Sequence, residues 1–116
     1  MPLPVIDASR LATLRSDYGE DVTGELVADF ARTGTELGKR LNQAAADGDA
    51  AELNETAHEL RGGARTMGLE RLAGLCQEIE AACTDGRHAD ALRMTRELDA
   101  CFLESVAALE KEGSVE

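Results

Sequence analysis

One histidine sits in the stretch Ala57-His58-Glu59-Leu60-Arg61-Gly62-Gly63, with a second arginine at position 65. Histidine is the side chain that changes charge between about pH 5 and 8, and its neutral ring is a nucleophile near neutrality. An exposed ring nitrogen can attack an acyl phosphate in line, and the phosphoramidate so formed can pass the group onward. Such transfer needs positioning and charge neutralisation more than an elaborate pocket. Arg61 and Arg65 lie one and two turns beyond His58 and reverse the local sign in a chain of net charge −11. Both can hold phosphoryl oxygens through charge-assisted hydrogen bonds. Ordinary surface pairing is the plainer use for them, with Glu55 and Glu59 the nearer carboxylates.

Periodicity sets the direction of His58. Leu53, Ala57, Leu60, Ala64 and Met67 recur at spacings of 4, 3, 4 and 3. At about 100° per residue this stripe centres roughly 140° from His58, so the imidazole belongs on the outer side of its helix. Gly62 lies one turn along on the same side, and a glycine inside a helix costs ~1 kcal/mol against alanine. Two adjacent glycines there suggest close approach of another protein's surface. Gly63, nearer the core side, also suits tight packing between helices.

Five helical segments should carry these residues. Asp7 is a plausible N-cap for a short first helix through Leu11 and Leu14 that ends near Gly19. A second runs from about Glu20 to Ala46, with Leu26, Phe30, Leu37 and Leu41 on one stripe, although Gly24, Gly34 and Gly38 lower its propensity. Asp47-Gly48-Asp49 reads as a stop and a restart, with Asp49 as cap and Glu52 completing a capping-box-like pair. The third helix holds His58 and breaks at Gly68. The fourth runs through Leu72, Leu75, Cys76, Ile79 and Cys83 to Asp85-Gly86. The fifth, from about His88 to Glu110, should turn Leu92, Leu98, Phe102, Val106 and Leu109 inward. The expected fold is all-α: an antiparallel four-helix bundle whose short additional N-terminal helix caps one end. It forms one domain over 1–116, with a core of about 7–111.

Composition narrows the function. Twelve basic against 23 acidic residues argue against nucleic acid and against an anionic membrane, both of which need a basic face. The same acidity also serves simply to keep a small protein dispersed. No apolar run reaches the roughly 18–20 residues of a membrane span, and no signal peptide is evident, so a cytoplasmic location is expected. Cys76, Cys83 and Cys101 are odd in number and lack CxxC spacing, which suits reduced, buried thiols. No GxxxxGK[ST] loop is present to cradle a nucleotide. Glu55-Thr56-Ala57-His58 has the Glu-x-x-His form of di-iron bundles, but its only companion, Asp85-Gly86-Arg87-His88, straddles a turn, and His58 points outward. No metal is therefore expected, and His88 reads as a solvated residue.

These residues resemble the histidine-containing phosphotransfer (HPt) domain of bacterial phosphorelays. The likeness rests on Thr56 to Ala64, then Met67-Gly68-Leu69, Leu72, Cys76, Ile79-Glu80 and Gly86, and extends over nearly the whole chain. The family pattern is an alanine, the phosphorylated histidine, two residues, a basic residue and glycine. His58, Arg61 and Gly62 match in order, with Arg61 replacing the usual lysine. The resemblance makes Glu80, on the next helix, the acid or amide that faces the histidine. It implies a carrier that takes a phosphoryl group on His58 from a receiver-domain aspartate or a hybrid sensor kinase and passes it to a response regulator. Such a protein would be no enzyme with its own ATP site, would bind no cofactor, and would rely on Mg2+ from the partner receiver domain. A monomer is expected, and the ends of the chain suit a free-standing protein. The alternative is an adaptor bundle that binds a receiver or kinase without accepting phosphate.

Overall fold

A computed structural model describes residues 3–113. Met1, Pro2 and the tail from 114 to 116 lie outside the described residues. Four helices follow one another: α1 (Ala8–Asp47), α2 (Ala50–Thr66), α3 (Glu70–Thr84) and α4 (His88–Gly113). Each packs on its neighbour in sequence, and α1 closes the ring against α4. This is the four-helix bundle that the apolar stripes require.

The break expected near Gly19 is present: Gly19, with a φ of 84° and a ψ of 168°, is non-helical, and α1 is two helices joined across a kink there, the first of them a short N-terminal arm. A left-handed φ is open to glycine at no steric cost, so one residue turns the axis without a loop. Thr23 then donates to the Gly19 carbonyl at 2.7 Å. The opening arm is capped as expected, with the Asp7 carboxylate accepting from Ser9 N–H at 3.0 Å. The Ser9 hydroxyl, which donates to the same oxygen at 2.6 Å, and secondarily that backbone contact hold the Asp7 carboxyl below its usual range.

The arm covers one end of the bundle. It buries Leu11 and Leu14, and Asp7 N–H donates to the Gly68 carbonyl at 2.7 Å. Arg15 donates to the Glu112 carbonyl near the end of α4. Gly68 has a φ of +74°, and a β-carbon there would fall 2.7 Å from Arg10 Cβ and 3.0 Å from the Asp7 carbonyl oxygen. Only glycine both turns the chain and leaves room for the arm. Farther upstream, Arg71 N–H donates to the Pro4 carbonyl and Arg71 Nε to the Leu3 carbonyl, each at 3.1 Å.

The α2 stripe is buried as its spacing demands: Leu53, Ala57, Leu60, Ala64 and Met67 are all 4% exposed or less. On α4 one expectation fails. Leu92 is 38% exposed; Leu98 and Leu109 are buried as expected, joined in the interior by Ala91, Met94 and Cys101. The step of six from Leu92 to Leu98 does not fit a 3.6-residue period, whereas 91, 94, 98 and 101 do. Phe102 and Val106 are partly buried against the core. The glycines of α1 have a local reason at Gly34, where a β-carbon would meet the Phe102 ring at 2.4 Å. Asp49 caps α2 by accepting from Glu52 N–H at 3.1 Å, but the reciprocal half of a capping box is not formed. Asp49 N–H donates to Ala44 O instead, and the Glu52 carboxylate accepts from Arg40 and Thr56, each at 2.8 Å. Arg40 first, and Thr56 second, hold the Glu52 carboxyl below the usual range.

Candidate functional site

His58 occupies the ninth of the 17 positions of α2, and its side chain is 66% exposed. Ala57 and Leu60 beside it are buried. The helix is thus anchored on its inner face and offers the imidazole on its outer one. Its orientation comes from two groups at the same ring atom. Arg61 Nη2 lies 2.8 Å from His58 Nδ1, and Glu80 Oε1 lies 3.0 Å from it. Nδ1 accepts from Arg61 in one tautomer and donates to Glu80 in the other, never both at once. Either way Nδ1 is engaged, and the free edge of the ring is Nε2.

Arg61 and Glu80 also pair directly, with Nε 2.8 Å from Oε2. The approach is off the axis of a hydrogen bond, so Oε2 is shielded from water yet accepts none. The contact is ionic. Both side chains are largely covered, at 21% and 16% exposed, which weakens solvent screening of the pair. Glu80 also lies near the buried Cys76 thiol, which burial first and the carboxylate second push up to about 12.

Three residues singled out by sequence, His58, Arg61 and Glu80, therefore meet. Gly62 is open, and a β-carbon there would find nothing within 4 Å. Gly63 is different: a β-carbon would stand 3.2 Å from the Phe30 ring, so this glycine serves the packing of α2 on α1. Arg65 does not join His58. Its Nη2 donates to Gln77 Oε1 at 3.2 Å. Gln77 is the residue that sequence reading missed; it stands three before Glu80 on α3, so one face of α3 supplies both partners. Glu59 turns away to Arg40 at 3.3 Å rather than to either arginine of α2.

Glu55 is exposed on the same outward side as His58, not directed into the bundle. Among the described residues no cluster of three or more His, Cys, Asp or Glu could hold a metal ion. His88 is exposed at the start of α4. Cys76 and Cys101 are buried and Cys83 half-buried, all as free thiols. No helix among the described residues is long and apolar enough to cross a membrane.

A four-helix bundle with an exposed histidine, held by hydrogen bonds on the outer face of one helix, has the form of a phosphotransfer carrier. The Hpt domain family model matches residues 25–111. The crystal structure of histidine-containing phosphotransfer protein B (HptB) from Pseudomonas aeruginosa PAO1 superposes with a TM-score of 0.89 at 30% sequence identity, covering 95% of each chain. No curated protein sequence matches significantly. The chain belongs to the Hpt family, whose members are histidine phosphotransfer intermediates of phosphorelays. They are carriers, and they interact with receiver domains and kinases.

Proposed function

We propose that His58 is the phosphoryl-accepting residue, and that Arg61 and Glu80 position it. The single observation that carries this is the engagement of Nδ1 by Glu80 Oε1 at 3.0 Å, which leaves Nε2 outward on an exposed ring. In the reacting tautomer Nδ1 donates to Glu80 and Nε2 holds its lone pair. That pair attacks the phosphorus of an aspartyl phosphate on a receiver domain. The N–P bond forms as the P–O bond to the aspartate breaks, and the carboxylate leaves with the bonding electrons. The ring gains positive charge with its proton still on Nδ1, where the Glu80 carboxylate stabilises it. Return of the group to a second receiver reverses these steps. Arg61 neutralises and fixes Glu80 from the side away from solvent.

Gly62 leaves the flank of the ring clear, so a receiver can bring its acid pocket to Nε2. Magnesium, where the transfer needs it, belongs to that receiver, and this chain brings neither a cofactor nor an ATP site. One copy suffices, because His58, Arg61 and Glu80 all come from one chain. A cytoplasmic response regulator or hybrid sensor kinase is the fitting partner, and direct transfer tests the reading. Incubation with a phosphorylated receiver domain should give label that is acid-labile and base-stable, and His58→Gln should abolish it. Label that persists in His58→Gln would move the site elsewhere. No label from any receiver tried would favour an adaptor that binds without accepting phosphate.

A further inference from the structure

The cations of the His58 face are unequally committed. Arg40 is paired with Glu52 at 2.8 Å and Glu59 at 3.3 Å. Arg61 is paired with Glu80 at 2.8 Å. Arg65 makes no ion pair among the described residues and is held only by the neutral carboxamide oxygen of Gln77, at 3.2 Å. Its positive charge is unneutralised, and its anchor is weak and exposed.

Helix geometry aims that charge at His58. Seven residues place the two positions about 20° apart around the axis and roughly 10.5 Å apart along it. Side chains on a helix lean toward its N-terminus, so Arg65 leans back over the turn that separates it from His58. The residue on that turn is Gly62, where nothing lies within 4 Å of an added β-carbon. The turn between Arg65 and His58 thus carries no side chain at Gly62, and the space beside that position is open.

We infer that Arg65 is the cation that grips the phosphoryl group on His58, and that Gln77 holds it in reserve until the group arrives. The inference rests on His58 being the acceptor. It divides the labour between the two arginines: Arg61 positions the ring through Glu80, and Arg65 contacts the phosphoryl oxygens. Phosphorylation adds negative charge and strong acceptor oxygens, for which a guanidinium exchanges a neutral amide readily.

The test uses the intact chain and phosphoramidate as the phosphoryl donor, so no receiver is needed. The wild type, Arg65→Gln, Arg65→Lys and Gln77→Ala would be phosphorylated and the phosphohistidine followed by 31P NMR across pH. A cation on the phosphoryl oxygens lowers the pH at which they take up their last proton. Arg65→Gln should raise that midpoint by about half a unit or more and lower the attained phosphorylation several-fold. Arg65→Lys should restore most of the shift, and Gln77→Ala should titrate like the wild type. The inference is overturned if Arg65→Gln is phosphorylated at His58 and titrates as the wild type does. It also fails if Gln77→Ala reproduces the Arg65→Gln shift, since the pair rather than the released arginine would then matter. Absence of phosphohistidine from the wild type, or its survival in His58→Gln, would instead sink the assignment of His58.

Discussion

Gly34 and Phe102 meet where α1 crosses α4, and the ring edge lies where a β-carbon would otherwise be, 2.4 Å from Cε1 and 2.7 Å from Cζ. Phe102 in turn tilts against Phe30 at a centroid distance of 5.9 Å. The bare backbone thus seats an aromatic pair that ties the first helix to the last. Gly34→Ala should lower stability by about 1–3 kcal/mol, as overpacking of a filled interior does. Urea denaturation followed by circular dichroism measures it; an unchanged midpoint would mean that the ring moves aside without cost.

Gly62→Ala should do the reverse. The added methyl meets nothing within 4 Å, and alanine is the better helix former by ~1 kcal/mol. Stability should rise by up to that amount while transfer from a phosphorylated receiver slows, because the methyl stands on the face proposed to dock the receiver. Chemical phosphorylation by a small donor should be little affected. Equal transfer rates from a receiver would remove the role of Gly62 in clearing that face.

Glu80→Gln keeps the shape of the side chain and removes its charge. If the carboxylate stabilises the ring as positive charge develops, transfer to and from His58 should slow on the order of tenfold. Folding should persist, since the amide still reaches Nδ1. Stopped-time phosphotransfer with labelled receiver reads the rate. A rate within twofold of wild type would assign Glu80 to packing alone.

Cys76 gives a pH dependence with a definite sign. Its folded thiol is pushed up to about 12 from an ordinary value of 9.0, by burial first. The unfolded thiol therefore ionises first as pH rises. Its contribution to stability is complete below pH 9 and is lost as pH climbs from there toward 12, at about 1.4 kcal/mol per pH unit. Cys83 and Cys101 are shifted the same way, again by burial first. Cys76→Ala should flatten the alkaline limb of a stability–pH curve, and a limb of unchanged slope would contradict the assignment.

What could be read from the chain divides along physical lines. The outward aim of His58 followed from the spacing of Leu53, Ala57, Leu60, Ala64 and Met67, because periodicity within one helix fixes which face is wet. Contacts between helices were less legible. Glu80 was placed opposite His58 only through the family resemblance, and Gln77 was missed, since the register of α3 against α2 leaves no mark in either helix alone. Leu92 misled because it is large and apolar; its wheel position, one residue past Ala91, outweighs its side chain. Gly34 read as a weakness of α1, and its reason became visible only with Phe102 beside it.

The pairing of α2 with α3 has a consequence for how the protein forms. The two helices make the largest helix–helix contact of the molecule, and His58 and Glu80 are only 22 residues apart in sequence. Contacts that close short loops carry a small entropic penalty and are reached early in folding. The arm at Asp7, by contrast, must find Gly68 from 61 residues away. The hairpin that orients the histidine can therefore nucleate on its own stretch of chain, whereas the arm closes as a clasp across its bend only over a much longer loop.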